Sequence, residues 1–299
     1  MASACYADAT SGPAEPPRTT GAPEGGGCFA ISFRHVAYAA VRKLAFFLLA
    51  PLLTAVGVAI AFLVLPFSPR SGRLPHAVGR AWALALLRVA GVHLEVQGAD
   101  GLSPGEPRVL VANHSSYLDI PAVLVAFPGQ LRVVARKSLI WMPFLGWYLW
   151  LCGHLLIDRA DPRQGLDLFA KASNRMRAHG LSVLVFPEGT RSRDGRLAAL
   201  KGGAFHLAAS LDVPIQPLAI SGTNRIMPKG AWAPSRGGVV IVRVGEAIPT
   251  SGRTGGPARK ALAVDVRTAL LALGVPDGES APGPASAPAS PSAAPDEPA

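Results

Sequence analysis

Cysteine is nearly absent: Cys5, Cys28 and Cys152 are the only three in 299 residues, and no CxxC pair occurs. An odd, scattered set excludes a disulfide-stapled fold, and a reducing compartment is the simplest setting. Charge is scarce as well, at 16% of residues against 49% apolar, which is hydrophobic for a soluble protein. What charge there is leans one way: 29 Lys and Arg face 19 Asp and Glu, for a net charge of +10. Basic chains suit nucleic acid, anionic lipid or acidic metabolites. The chain has no zinc-finger spacing and no aromatic RNA-binding signature, so no nucleic-acid partner is expected. The apolar content turns the reading toward a membrane surface, where basic flanks gain near anionic headgroups. No apolar h-region follows Met1, so the first 30 residues do not read as a signal peptide. No repeat is visible, and no compact ligand cluster suggests a metal or another cofactor.

Composition divides the chain into four parts. Residues 1–27 are rich in Ala, Gly, Pro and Glu and are expected to be disordered. Residues 274–299 have the same character more strongly, with prolines and small residues that offer nothing to bury. Residues 34–90 read as a membrane-associated helical region, and residues 91–273 as an α/β domain. Within the second part, the stretch Leu44 to Phe67 carries no charge over 24 residues. As a helix it would extend about 36 Å, enough to cross a hydrocarbon layer of roughly 30 Å. Arg34, Arg42 and Lys43 precede it and Arg70, Arg73 and Arg80 follow it, so basic flanks give no orientation. Two arrangements stand open: a hairpin or re-entrant element bent at Pro51 and Gly57, or a single spanning anchor. The following stretch, "RAWALALLRVAGVHLEVQG", reads as a shorter apolar helix lying along the interface.

From Val92 onward, strands alternate with helices. Strands are expected at Arg108–Ala112, Leu131–Ala135 and Leu181–Phe186, and again in "VPIQPLAI" and "GVVIVRVG". Helices are expected from "DIPAVLVAF", from an Asp161–Pro162 start to Gly180, around Ala204–Ala209, and in "ARKALAVDVRTALLAL". Pro214 and Pro217 suggest that their strand is an edge or a strand end. The fold class is therefore α/β: a mixed, mostly parallel sheet flanked by helices, with an N-terminal apolar membrane element.

Polar residues cluster where apolar strands stop. "RVLVA" runs into "NHSSYLDIP", Asn113 to Pro121. Five positions of regular helix turn through about 500°, so His114 and Asp119 meet only if the chain turns between them. If they do, the carboxylate fixes the imidazole tautomer and frees the other ring nitrogen to take a proton. The alternative makes Asp119 a first-turn acid before Pro121 and His114 a loop residue. A second strand runs into "VFPEGTRSRDG". Gly189 lets the backbone turn, Arg191 offers a planar fork suited to phosphate, and Thr190 and Ser192 add hydroxyls. Glu188 would repel a phosphate, so it is expected to orient Arg191 or a substrate hydroxyl; the alternative is a surface turn with a local Glu–Arg pair. A third stretch, Ala135 to Arg159, mixes Arg136, Lys137 and Arg159 with Trp141, Trp147 and Trp150. It suits a headgroup-level surface or a steering patch for an anionic substrate, with at least one of the tryptophans expected in the core.

These segments, in this order, resemble the 1-acylglycerol-3-phosphate acyltransferase family of the wider glycerolipid acyltransferase superfamily. The likeness spans roughly Leu84 to Gly245. It rests on Asn113, His114 and Asp119; on Lys137, Leu139, Pro143, Gly146, Gly153 and Arg159; on Phe186 to Ser192; and on Val213, Pro214, Ile215 and Pro217. The resemblance implies that His114 is a general base oriented by Asp119. The acceptor is a lysophospholipid hydroxyl, and the donor is acyl-CoA or acyl-acyl-carrier protein. Transfer would be direct, without an acyl-enzyme and without a cofactor or metal. Glu188, Gly189, Thr190 and Arg191 look like the acceptor site, with Lys137 and Arg159 in support. The implied setting is the cell membrane, with the site facing the cytoplasm. Other lyso-lipids (lyso-ornithine lipid or lysophosphatidylethanolamine), a lipid or thioester hydrolase, and a non-catalytic lipid-binding protein remain as alternatives.

Overall fold

The computed structural model describes residues 26–69, 71–158, 168, 172 and 174–278, with side chains from Ala39 onward. The disorder expected in 1–27 and 274–299 falls mostly outside these residues, as do Arg70, Arg159 and the helix start at Asp161 and Pro162. Contacts divide the chain at Tyr38 and Ala39 into two units. The described part of the first unit is the opening of helix α1, Gly26–Val64. The second unit holds everything discussed below.

A single sheet of seven strands organises the fold, in the order β1-β7-β6-β2-β5-β3-β4. The strands are β1 (Val92–Gln97), β2 (Val109–Ala112), β3 (Leu131–Arg136), β4 (Leu155–Ile157), β5 (Ser182–Val185), β6 (Ile215–Ser221) and β7 (Gly238–Val244). All neighbours run parallel except β6 and β7. The central strands β2 and β5 are buried on both faces, as continuous Val/Leu runs in a covered parallel sheet should be. Their side chains alternate between two cores. Leu110 and Leu184 pack with helices α2 (Arg73–Val89) and α3 (Asp119–Ala126). Val109, Val111 and Val183 pack with α5 (Gly203–Leu211) and α6 (Gly255–Ala272). Helix α4 (Leu145–Leu151) precedes β4.

Three sequence expectations need correction. The apolar stretch after Arg80 does not continue as a helix through Gln97. Helix α2 stops at Val89, and Val92–Gln97 becomes edge strand β1, paired with β7 and alternately half-buried and exposed. One stripe of helix α2, His76, Gly79, Ala83, Leu86 and Leu87, is buried, while Leu74 and Leu84 are exposed. Secondly, β6 is not an edge, since it lies between β7 and β2; the strand-end alternative holds for Pro214, which immediately precedes Ile215. Pro217 is tolerated there because its ladder with β7 begins only at Leu218. Pro217 accepts from the Gly245 amide at 3.0 Å, and the Gln216 side chain supplies the Gly245 carbonyl with the donor that proline lacks. Thirdly, the apolar stretch from Leu44 does not reverse at Pro51 or Gly57; α1 is continuous through both.

The reversal comes after Phe67 instead. Phe46 joins Ala83 and Leu86 in one cluster, Trp82 Nε1 donates to Thr54 Oγ1 at 3.2 Å, and Val58 packs beside Val78. From Ala39 onward, α1 therefore runs antiparallel to α2. Residues Ala39–Phe67 are long and apolar enough to cross a membrane, yet one face of that stretch is packed on the domain. The other face leaves Leu44, Phe47, Leu52, Leu63 and Phe67 exposed.

Candidate active site

Parallel strands β2, β5 and β6 are adjacent, so their C-terminal ends share one edge of the sheet. Open α/β sheets bind ligands at such an edge. Asn113 leaves β2 and ties it to β6: its amide donates to the Ile220 carbonyl at 2.9 Å and accepts from the Ile220 amide at 2.8 Å. His114 follows. The chain then turns through Ser115 to Leu118, and α3 starts at Asp119.

That turn brings the pair together. Asp119 Oδ2 lies 2.8 Å from His114 Nδ1. The same oxygen accepts from the Ser115 and Ser116 amides at 2.8 and 2.9 Å. Asp119 is fully buried, and its charge sits in the first turn of α3, where unpaired amides favour an anion. Asp119 is thus the histidine's partner through Oδ2 and a first-turn acid by position, while the amides that Oδ2 accepts precede α3. A carboxylate only accepts, so Nδ1 carries the hydrogen and Nε2 presents a lone pair. Nε2 has no partner among the described residues, and the imidazole is 16% exposed. Phe186 stacks on the ring, with centroids 4.1 Å apart and planes at 20°. The arrangement holds a histidine in one tautomer and one plane, with a single nitrogen open.

The serines face elsewhere. Ser115 Oγ contacts Thr223 Oγ1 at 3.3 Å, and Ser116 Oγ donates to the Met227 carbonyl at 2.7 Å. They hold the loop after β6 rather than the imidazole.

The β5 segment closes the other side. Phe186 to Gly189 form a turn closed by the Gly189 amide on the Phe186 carbonyl at 3.0 Å. Gly189 has φ +72°, and a Cβ there would meet Lys201 Nζ at 3.0 Å. Glu188 does not pair with Arg191. Its Oε1 accepts from the His114 amide at 2.8 Å and its Oε2 from the Ala198 amide at 3.1 Å. Burial pushes its carboxyl above the usual range, against the pull of those two amides. The Ser192 amide donates to the His114 carbonyl at 2.7 Å, so the segment after β5 crosses directly over the histidine. Arg191 lies over the Tyr117 ring at 3.6 Å, and its Nη1 is buried without a hydrogen-bond partner among the described residues. Lys229 Nζ reaches the Arg191 carbonyl at 2.6 Å and Thr190 Oγ1 at 3.4 Å.

Lys137 is exposed at the end of β3, on the same edge of the sheet. Arg159 lies outside the described residues. Gly146 is required by packing, since a Cβ there would fall 2.2 Å from the Ile140 carbonyl oxygen, with no side chain to move aside. None of Trp141, Trp147 and Trp150 is core; all three are exposed. Sequence reasoning gave no role to Tyr117, Thr223 or Lys229. Lys229 carries no local signal, because it enters from a loop 38 residues beyond Arg191. Among the described residues, no group of His, Cys, Asp and Glu is arranged to hold a metal ion.

Residues 93–221, which span the strand-end histidine, the buried carboxylate and Arg191, match the model of the Acyltransferase family. A 1-acyl-sn-glycerol-3-phosphate acyltransferase of Chlamydomonas reinhardtii is 34% identical over 250 residues, 82% of this chain and 71% of the algal one. The human 1-acyl-sn-glycerol-3-phosphate acyltransferase alpha is 32% identical, over 72% of this chain and 76% of its own length. The protein belongs to the 1-acyl-sn-glycerol-3-phosphate acyltransferase family. The crystal structure of the 1-acyl-sn-glycerophosphate acyltransferase from Thermotoga maritima shares the fold. Its TM-score is 0.67 at 22% identity, covering 80% of this chain and 97% of that one.

Proposed function

We propose that the protein moves an acyl chain from acyl-CoA or acyl-acyl-carrier protein to the sn-2 hydroxyl of 1-acylglycerol-3-phosphate, giving phosphatidate. His114 is the general base. Its open Nε2 takes the hydroxyl proton as the oxygen attacks the thioester carbonyl, and the thiol leaves with a proton returned from the ring. Asp119 holds the tautomer and stabilises the imidazolium that forms. The observation that carries this reading is the 2.8 Å contact between Nδ1 and Oδ2, which leaves one ring nitrogen facing outward. Ser115 and Ser116 have their hydroxyls engaged with Thr223 and Met227, which supports direct transfer over an acyl-enzyme.

Arg191 receives the acceptor phosphate. Its orphaned, buried Nη1 supports this, because an unpaired guanidinium N–H is costly until an anion arrives. Thr190, Gly189 and Lys137 line the same edge, and Arg159 is placed with them by resemblance alone. Glu188 supports the site by fixing the His114 backbone. The exposed face of α1 sits in the bilayer beside this edge, and the charged carrier arrives from the cytoplasm. Labelled acyl-CoA offered with a panel of lyso-lipids tests the reading. Transfer to 1-acylglycerol-3-phosphate is expected. Free fatty acid formed without acceptor dependence would instead mark a hydrolase, and preference for an uncharged acceptor would remove the phosphate role.

A further inference from the structure

A second surface, separate from α1, exposes large aromatic side chains. Between β3 and β4 the chain leaves Trp141 86%, Trp147 52% and Trp150 68% exposed, with Met142 46% and Phe144 38% beside them. Isolated exposed apolar residues are ordinary, but a contiguous cluster of this kind marks a contact surface. The cluster is built rather than frayed. Helix α4 turns Tyr148 and Leu149 inward and leaves Trp147 and Trp150, three positions apart, on its outer face. Trp147 is braced edge-on by Phe144, with centroids 5.4 Å apart.

Position and charge indicate what covers it. Tyr148 and Cys152, on the inner side of this helix, pack against Val58 and Ala61 of α1. The inner side of this helix thus packs on the same α1 whose end exposes Leu63 and Phe67. From Leu131 to Ile157 the sequence contains Arg132, Arg136 and Lys137 and no acidic residue. Arg136 and Lys137 are exposed, whereas Arg132 is buried. Tryptophan prefers the headgroup level of a bilayer, where its apolar ring and its N–H are both satisfied, and exposed cations gain there from anionic lipid.

We infer that the Trp141–Trp150 segment is a second membrane contact, an interfacial anchor that seats on an anionic bilayer surface beside α1. It sets the depth and tilt at which the sheet edge carrying His114 meets the lipid. The inference shares with the proposed function only the membrane placement of α1, and its test needs no acyl transfer.

The full chain is mixed with vesicles of phosphatidylcholine and phosphatidylglycerol carrying brominated acyl chains, and tryptophan emission is read. Two of the five tryptophans, Trp82 and Trp232, lie outside the segment and serve as background. Flotation with the vesicles tests the placement of α1 independently. Bromines near the headgroup are expected to quench the wild type, and quenching should fall by about threefold or more in Trp141→Ser/Trp147→Ser/Trp150→Ser while flotation persists. Wild-type protection from aqueous acrylamide on adding vesicles is a companion measurement that needs no variant. Unchanged acrylamide access, or equal bromolipid quenching in the variant, overturns the inference. Protection that appears without lipid and grows with protein concentration overturns it too, because a second copy then covers the face.

Discussion

Replacing Glu188 by glutamine separates two views of this residue. As an acceptor ligand it would contact substrate; in the structure its two oxygens accept the amides of His114 and Ala198. Glutamine has one acceptor oxygen, so one of those amides must face an NH2 group. An orphaned buried group costs about 1–3 kcal/mol. Burial already opposes the charge on Glu188, and the neutral amide escapes that penalty. The net loss should therefore lie near the lower end, about 1–2 kcal/mol, or roughly 2–8 °C in apparent Tm for a domain of this size. The His114 contact is the shorter, 2.8 against 3.1 Å, so the retained oxygen should stay on His114 and the orphan should fall on Ala198. Glu188→Gln should then lower kcat by less than about tenfold with acceptor KM within about twofold. Glu188→Ala frees both amides, and a displaced imidazole should lower kcat by about a hundredfold. The assay is acyl transfer with varied acceptor, beside thermal unfolding in detergent. An unchanged Tm with acceptor KM raised about tenfold or more would refute the clamp and return Glu188 to the substrate.

Asp119→Asn can keep an oxygen on its three donors but puts an NH2 where the buried Oδ1 has no partner, so kcat should fall by about 10- to 100-fold with a loss of stability of about 1–3 kcal/mol. Asp119→Ala orphans those donors and should lower both kcat and Tm, as rate and melting measurements would show. Arg191→Ala should raise acceptor KM by about tenfold or more while donor KM stays near wild type; a selective rise in donor KM would contradict the phosphate assignment. Burial, with Arg132 as the next cause, lowers His76 and His154 from 6.5 to about 4 and about 3. The unfolded chain binds protons at these sites below pH 6.5 and the fold does not, so stability is lost as pH falls from 6.5 toward 4. Each contributes up to about 1.4 kcal/mol per pH unit. Glu188 acts in the opposite sense, since the fold holds its proton more tightly. Apparent Tm against pH in the Glu188→Gln background should fall toward acid, and His76→Gln should flatten the slope.

Much of the α/β core was legible because β2, β5 and β6 are short apolar runs bounded by polar clusters. Position in the sheet was not. Pro217 argued for an edge, but its missing N–H falls where the β7 ladder has ended, and Gln216 completes the gap. The Val92–Gln97 error arose because a short apolar run has no decisive period; pairing with β7, far along the chain, settles it. The turn between His114 and Asp119 was readable as a condition, and the residues that make it close were adjacent in sequence. The backbone partners of Glu188 were not readable, because every sequence position offers an amide equally; only its pairing with Arg191 is not found. Tyr117 and Lys229 were missed because their contacts with Arg191 are long-range and carry no motif.

The central claim is that His114 Nε2 takes the proton from the acceptor hydroxyl. Single-turnover acyl transfer by His114→Ala, on vesicles and with folding checked by Tm, tests it most directly. The account predicts a loss of about a thousandfold or more with vesicle binding kept. Transfer within about tenfold of wild type by that folded variant would contradict it.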